Sequence, residues 1–352
     1  MSRSPVRVGL LGYGLAGRVF HAPLIASTPG MRLDAIVTAD AGRRAQARKD
    51  HPQARLLDSG ARRWAAADDL DLVVIATPNR LHVPLALAAI EAGIPVVVDK
   101  PFAPTAAEGR SVMDAAARAG VAITVYQNRR WDGDFLTVRR LIDDGSLGRV
   151  LRFESRFERW KPDVGAGFRE SADPEDAGGQ LFDLGAHLID QALQLFGPVT
   201  TVYAELDRRR PGSAVDDDAF VALTHASGTR SHLWMGVVAA QAGPRLRVLG
   251  DRAAYVKSGL DVQEDALRAG GRPGQDGWGE ETPDRWGLVG ADGALRAVQT
   301  ERGRYEDFYA GVAAALRDGS PMPVDPADSV EVLDLIEAAQ RSAATGETVR
   351  VG

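Results

Sequence analysis

Three polar residues of this 352-residue chain have types and positions suited to proton transfer at a substrate oxygen. Lys100 stands with Pro101 where a short apolar run ends. A lysine at the carboxyl end of a parallel strand faces the crevice in which such sheets bind ligands. Asp183 and His187 lie one helical turn apart, so the carboxylate can orient an imidazole whose pKa suits proton transfer near neutrality. We therefore take these three as candidate catalytic residues.

Each candidate has a simpler alternative. Lys100 could be a lysine that extends from a strand end into solvent. Asp183 and His187, with Asp190 and Gln194, form the one polar stripe of an otherwise apolar helix predicted over Leu181–Phe196, and such a stripe often faces water. Gly178-Gly179 directly before this helix would let a ligand or another backbone approach closely.

A glycine-rich turn opens the chain's first strand-helix unit. Its residues, which directly follow the strand-like run Val8-Gly9-Leu10-Leu11 and precede an apolar helical run, are Gly12, Tyr13, Gly14, Leu15, Ala16 and Gly17. Glycines there allow the tight turn and the close approach of a pyrophosphate, and the N–H groups of the next helix meet the anion. The context predicts a dinucleotide site.

The second strand ends in residues that select the cofactor. An acid at this place hydrogen-bonds the ribose 2′-hydroxyl of NAD, whereas small residues with a nearby arginine admit the 2′-phosphate of NADP. The chain gives both signals, because Thr38, Ala39 and Asp40 are followed by Arg43-Arg44. The arginines would otherwise belong to a solvated helix face. We expect NADP, with NAD as the alternative. The nicotinamide side is assigned to Ala76, Thr77, Pro78, Asn79, His82, Lys100 and Pro101.

The elements that must position these residues fall into two predicted domains. Short apolar runs alternate with helical stretches up to Tyr126, as in a doubly wound parallel sheet of the Rossmann type. Strand-like runs without regular helices between them then predict an α+β domain with a large, mainly antiparallel sheet. The predicted domains are residues 1–125 and 126–352. We interpret the Gly-rich segment Ser258–Ala297 as a surface excursion.

Composition excludes several classes of function. There is no cysteine, six histidines show no metal-ligand spacing, and the net charge of −6 comes from interleaved acidic and basic residues. We therefore expect no metal and no nucleic-acid partner. The N-terminus enters a strand pattern without a leader-like apolar stretch, and no apolar run approaches membrane-spanning length, so we expect a cytoplasmic protein without a membrane partner.

The motifs together resemble the Gfo/Idh/MocA oxidoreductases. The resemblance rests on the glycine turn, on Asp99-Lys100-Pro101 where the family has Glu-Lys-Pro, and on the Asp183–His187 pair, and it covers essentially the whole chain. Three segments resemble the NADP-dependent scyllo-inositol dehydrogenase branch: 12–25, 127–136 and 259–270. This chain differs from the family pattern at two places. Asp99 stands where the family has a glutamate, and Asp40 stands where this branch tends to carry an arginine.

This resemblance implies an NAD(P)-dependent dehydrogenase that transfers hydride between the nicotinamide and a ring carbinol or ketone of an inositol or sugar. His187 would be the general base, Asp183 would orient it, and Lys100 would bind the reacting oxygen. Residues expected to line the polyol site are Asn128, Arg129, Trp131 and Arg169, beside Asp183 and His187, although ion pairing is an equal alternative for the arginines.

Two other kinds of function stay open at this level. One is a non-catalytic, dinucleotide-sensing regulator, and the other is an NAD-dependent, redox-assisted glycoside hydrolase. An open antiparallel sheet face would be buried by self-association, so we expect a homodimer or homotetramer.

Overall fold

The computed structural model describes residues 4–57 and 69–352. Within these ranges the strands are β1 (Val6–Leu11), β2 (Met31–Val37), β3 (Arg55–Leu57), β4 (Leu72–Ile75), β5 (Val96–Asp99), β6 (Ile123–Tyr126), β7 (Val150–Glu158), β8 (Val199–Asp207), β9 (Asp218–His225), β10 (Arg230–Gly236), β11 (Leu246–Gly250), β12 (Ala254–Lys257), β13 (Gly287–Gly290), β14 (Arg296–Val298) and β15 (Val349–Arg350). The α-helices are α1 (Ala22–Ser27), α2 (Ala41–Asp50), α3 (His82–Glu91), α4 (Ala106–Ala119), α5 (Gly133–Asp143), α6 (Ala186–Phe196), α7 (Gln263–Arg268), α8 (Glu306–Asp318) and α9 (Pro326–Thr345). One π-helical turn precedes α1 (Ala16–His21) and another precedes α6 (Leu181–Gly185).

The chain folds into two compact units. The first contains the residues up to Asn128 together with Gln263–Trp278 and Arg304–Val330, and the second contains Arg129–Val262, Gly279–Gly303 and Glu331–Gly352. The expected division at residues 125 and 126 is a single cut, whereas the first unit also takes in two later segments. The boundary itself stays a prediction.

A six-stranded parallel sheet forms the centre of the first unit, in the order β3-β2-β1-β4-β5-β6. The inner strands β4 and β5 read Leu-Val-Val-Ile and Val-Val-Val-Asp, and their apolar side chains are fully buried. Strands that are buried on both faces read as continuous apolar runs, which is the pattern found here. The predicted Rossmann architecture is therefore confirmed.

Helix α4 shows how closely local sequence fixes a boundary. Its N-cap, Thr105, accepts the backbone N–H of Glu108 at 3.2 Å, and the Thr105 hydroxyl donates to the Glu108 carboxylate at 2.8 Å. Gly120 ends the helix with φ of 65°, in the left-handed region that favours glycine. The helix thus begins with a capping box and ends at a glycine stop, both set by the local sequence.

A nine-stranded sheet forms the second unit, in the order β14-β13-β12-β11-β7-β10-β9-β8-β15. Its pairs are antiparallel except one, because β7 runs parallel to β10 and antiparallel to β11. The mainly antiparallel prediction is thus confirmed. Helix α6 packs on β7 and β10, and its buried face includes Leu188, Ile189 and Ala192.

The interpretation of Ser258–Ala297 as a surface excursion is wrong. This segment contains α7 and β13, and Leu267 and Trp278 are buried. The elements are too short to show an apolar period. Gly287 illustrates what the sequence leaves unmarked, since a Cβ there would lie 2.5 Å from the ring of buried Tyr255.

In the described part of the chain, no helix combines the length and the apolar character needed to cross a membrane.

Candidate functional site

The glycine turn between β1 and the first helix is built around two backbone contacts. Gly12 has φ of 98°, and a Cβ there would lie 2.3 Å from the Ala76 carbonyl oxygen at the end of β4. A Cβ on Gly17 would lie 2.1 Å from the Gly12 oxygen. Both glycines are therefore required for the turn to pack.

Gly14 has a different role in the same turn. A Cβ on Gly14 would meet only the Arg43 guanidinium, at 3.9 Å, so the space above this residue is open. The structure thus fits the pyrophosphate of a dinucleotide, because Gly12 and Gly17 shape the turn while Gly14 leaves a place for the anion at the start of a helix.

A cavity of about 390 Å³ adjoins this turn near the end of β2. Its lining residues are Tyr13, Gly14, Leu15, Arg18, Asp40, Gly42, Arg43 and Gln46. Tyr13 is buried, and its hydroxyl donates to Asp50 at 2.9 Å. Burial, followed by the hydrogen bond to Asp50, raises the pKa of Tyr13, so the cavity wall carries a neutral phenol next to two arginines.

Asp40, Arg43 and Arg44, the residues expected to select the cofactor, make different contacts. Asp40 caps α2, and its Oδ1 accepts the backbone N–H of Arg43 at 2.7 Å. Arg44 donates to the carbonyl oxygens of Thr38 and Leu57, at 3.2 and 3.0 Å, and so ties together the ends of β2 and β3. Arg43 instead lines the cavity. One of the two arginines is therefore structural, and the other belongs to the cavity wall.

His82 joins two segments of the expected nicotinamide side. It is 1 % exposed, with Nδ1 2.8 Å from the Pro101 oxygen and Nε2 3.0 Å from the Thr77 oxygen. Burial lowers its pKa, which favours the neutral imidazole. Both ring nitrogens thus lie against backbone carbonyls, and because a neutral imidazole carries one N–H, His82 donates a hydrogen bond to only one of them. Asn79 in the same region is buried as well.

Lys100 follows the last residue of β5 and is partly exposed. Its backbone N–H donates to Oδ1 of Asp99 at 2.9 Å. Burial alone would raise the pKa of Asp99, but its interaction with His21 and the charge of Lys100 outweigh burial and lower that pKa. A carboxylate that stays ionised therefore lies directly beside the candidate lysine.

The second unit presents Asp183 and His187 on one helical segment that changes from a π-turn to α6 after Gly185. Asp183 accepts Nε of Arg169 at 3.0 Å, and both side chains keep partial exposure, 22 % and 42 %. His187 is 6 % exposed. The structure therefore brings together Arg169 and Asp183, two residues that the sequence analysis expects at the substrate site.

Asp190, a further residue of the polar stripe, is structural rather than solvated. Asp190 is 2 % exposed and binds Arg130 through two contacts, one of them 2.9 Å from Nε. Arg129 stacks over Phe157 at 4.6 Å and contacts Asp132 at 3.3 Å. Arg129 is therefore ion-paired, which was the alternative to a role in the substrate site. Asn128 is buried and Trp131 partly exposed.

Gly178 and Gly179 allow neighbouring groups of the protein to approach the backbone closely. A Cβ on Gly178 would lie 2.3 Å from the Ser171 oxygen, and one on Gly179 would lie 2.0 Å from Oδ1 of Asp216. Asp216 in turn accepts the backbone N–H of Leu181 at 2.8 Å, at the start of the π-turn. The two glycines thus admit the elements that hold this helical segment in place.

Comparison with known proteins decides the family. Models of the Gfo/Idh/MocA oxidoreductase family match residues 6–127, as its NAD-binding Rossmann fold, and 139–351, as its C-terminal alpha/beta domain. The chain belongs to the Gfo/Idh/MocA family. It is therefore an oxidoreductase whose N-terminal domain is a NAD-binding Rossmann domain.

Individual members of the family are similar over nearly the whole chain. The scyllo-inositol 2-dehydrogenase (NADP(+)) IolW of Bacillus subtilis is 35% identical over 348 residues, which cover 98% of this chain and 95% of IolW. The oxidoreductase YdgJ of Escherichia coli is 40% identical over 341 residues and 96% of each chain. The solved structure of the oxidoreductase YvaA from Bacillus subtilis has a TM-score of 0.94 at 34% identity, and the match covers 100% of both chains.

Sequence reasoning missed several residues of this Gfo/Idh/MocA protein. Arg18 lines the same cavity as Arg43, and its place in the turn after the glycines was the available signal. His21 lies 3.6 Å from Asp99 and 2.6 Å from the Tyr309 hydroxyl. Nothing local marks that pair, because Tyr309 is 288 residues away in the sequence.

Proposed function

We propose that the protein is an NADP-dependent dehydrogenase that oxidises a ring carbinol of an inositol or sugar, or reduces the corresponding ketone. The observation that carries the proposal is the full-length similarity to an NADP-dependent scyllo-inositol 2-dehydrogenase, with Lys100, Asp183 and His187 present in this chain. That relative's substrate defines the class to be tested first.

The preference for NADP rests on the cavity beside the glycine turn. Asp40 already spends one carboxylate oxygen as the cap of α2, while Arg18 and Arg43 both line the cavity. A guanidinium group binds a phosphate through charge-assisted hydrogen bonds, and a bare ribose hydroxyl gives it no such partner. Two arginines in one cavity therefore favour the 2′-phosphate of NADP over NAD.

The proposed roles divide the reaction among three side chains. Bound NADP supplies the hydride acceptor. His187 takes the proton of the substrate hydroxyl as general base, while the carbinol hydrogen leaves as hydride and the carbon becomes a ketone. Lys100 donates a hydrogen bond to the reacting oxygen and favours its developing negative charge. Asp183 orients His187, and Arg169 forms an ion pair with Asp183.

A substrate screen tests this function. Inositols, aldoses and lactones are incubated with NADP or NAD, and the reduced nicotinamide is followed by its absorbance. Turnover with an inositol or sugar, and a higher kcat/KM with NADP, is the expected result. Cofactor binding without turnover of any polyol would point to a dinucleotide-sensing regulator, and glycoside cleavage without net cofactor reduction would point to a hydrolase. Either result contradicts the proposal.

A further inference from the structure

A buried group of side chains lies behind Lys100 in the Rossmann unit. His21, from the π-turn before α1, is fully buried, and its Nε2 lies 3.6 Å from Oδ1 of Asp99. Its Nδ1 lies 2.6 Å from the hydroxyl of Tyr309 in α8, which is also fully buried. The ring of Tyr126 packs on His21 with 4.3 Å between centroids.

The chemistry of this group selects one tautomer of His21. A neutral imidazole carries one N–H, so one ring nitrogen donates and the other accepts. Burial raises the pKa of Tyr309 well above its usual value, which keeps its hydroxyl protonated and able to donate to Nδ1. In that tautomer the Nε2 proton faces the Asp99 carboxylate, and the charged imidazole, which carries N–H on both nitrogens, presents the same proton to Asp99. In the opposite tautomer a lone pair on Nε2 would face a negative oxygen, which is unfavourable.

Asp99 connects His21 to Lys100 through one carboxylate oxygen. The same oxygen that faces His21, Oδ1, accepts the Lys100 backbone N–H at 2.9 Å. The chain runs from Tyr309 through His21 and Asp99 to Lys100, with every member inside the first compact unit. The ionisable groups around Asp99 are His21, His82, Lys100, Tyr126 and Tyr309.

We propose that His21, Tyr309 and Asp99 are positioning residues for Lys100. They hold its backbone at the end of β5, and the carboxylate charge of Asp99 interacts with its ammonium group. This inference rests on the proposed function, in which protonated Lys100 donates a hydrogen bond to the reacting oxygen.

The first test measures Lys100 without any catalytic assay. The chain has four lysines, and Lys49 and Lys161 are exposed, so they serve as internal controls. Labelling with trinitrobenzenesulfonate across a pH series, read by peptide mass spectrometry, gives a midpoint for each lysine. We expect Asp99→Asn to lower the Lys100 midpoint by about one pH unit or more, the size of effect that a neighbouring charge has on a pKa. Asp99→Glu keeps the charge and should stay near the wild-type midpoint.

The second test uses turnover of the polyol substrate. His21→Leu fills the buried space without a donor and should lower kcat about tenfold, whereas His21→Gln keeps a donor and should recover most of it. Tyr309→Phe should lower kcat by a smaller factor, and Tyr305→Phe, at the N-cap of the same helix, should leave it unchanged. The alkaline limb of the pH profile should move to lower pH in Asp99→Asn.

The two tests separate this inference from the proposed function. If no polyol is turned over by the wild-type protein, the proposed function fails while the labelling series still decides the positioning role. An unchanged Lys100 midpoint in folded Asp99→Asn would overturn the positioning role. Equal activity of His21→Leu and His21→Gln would overturn the part assigned to His21, and Tyr309→Phe decides it if the His21 variants do not fold.

Discussion

The glycine turn of the Rossmann unit and the helical segment that carries Asp183 and His187 are built in opposite ways. In the turn, the important property is the absence of side chains, since Gly12 and Gly17 allow backbone contacts and Gly14 keeps a space open. Along the helical segment, polar side chains are dense and several are bound to other groups of the protein, as Asp190 is to Arg130 and Asp183 to Arg169. A ligand site can thus depend on space that glycines leave open or on charged side chains that ion pairs hold in place. The two kinds of site should respond differently to substitution.

The largest expected effect separates His187 from its anchored neighbours. His187→Asn should lower kcat by a factor of about 10²–10⁴, the usual contribution of a positioned acid or base. The cofactor affinity and the unfolding midpoint should stay near the wild-type values. Steady-state kinetics with a turned-over polyol and calorimetry with NADP check both statements. Near-normal kcat would show that His187 only packs the helix.

Two adjacent aspartates that anchor the second unit should have opposite effects on stability. Burial raises the pKa of Asp216 to about 6, because the backbone N–H donors around it offset burial only in part. An acid whose pKa is raised on folding stabilises the fold below its unfolded pKa, and this contribution is lost as the pH rises through about 6. Asp216→Asn should therefore raise the free energy of unfolding at pH 7.5 by up to about 3 kcal/mol and flatten its pH dependence between 4 and 6.

Asp217 provides the matched control in the same urea titrations. Burial alone would raise its pKa, but the N–H groups of Arg209 and Arg210 and the Arg210 guanidinium outweigh burial and lower that pKa. Its contribution is present above the unfolded pKa, so Asp217→Asn should destabilise the protein at pH 7.5. A loss of stability in both variants at that pH would contradict the raised pKa of Asp216.

For the glycine turn, the effect should depend on which glycine is changed. Gly14→Val places methyl groups in open space and should remove measurable NADP binding while the thermal midpoint stays near wild type. Gly17→Val forces a side chain against the Gly12 backbone and should destabilise the fold, by about 1–3 kcal/mol for such overpacking. Calorimetric binding and thermal unfolding of both variants make the comparison. Tight binding by Gly14→Val would mean that the open space is not the pyrophosphate site.

The smallest expected effect distinguishes the adjacent arginines of α2. Arg43→Ala should weaken NADP binding about 10- to 150-fold, corresponding to the roughly 1.5–3 kcal/mol of a hydrogen bond to a charged group, and should change NAD binding little. Arg44→Ala loses two bonds to backbone oxygens and should affect both cofactors equally. Equal losses for NADP and NAD in Arg43→Ala would remove Arg43 from the phosphate site.

The same contrast explains what could be predicted from the sequence. The Rossmann sheet, the cap at Thr105 and the stop at Gly120 are local signals, and each was readable from a few neighbouring residues. The separation of Arg43 from Arg44 was not readable, because it depends on the carbonyl oxygen of Leu57 in another strand. The partners of His21 and Asp190 lie 288 and 60 residues away, and no spacing rule reaches that far. Local pattern therefore located the candidate residues, while their anchoring required the fold.

The late segment Arg304–Val330 gives the Rossmann unit an unusual history during synthesis. Helix α8 buries Phe308, Tyr309 and Val312 within that unit, and it also supplies the hydroxyl that contacts His21. About 200 residues must be translated between Asn128 and the end of this segment, which takes roughly 10–40 s at about 5–20 residues per second. Throughout that interval the nascent chain contains all six strands of the parallel sheet but not helix α8. The cofactor-binding domain therefore receives helix α8 only after nearly all of the second domain has been synthesised.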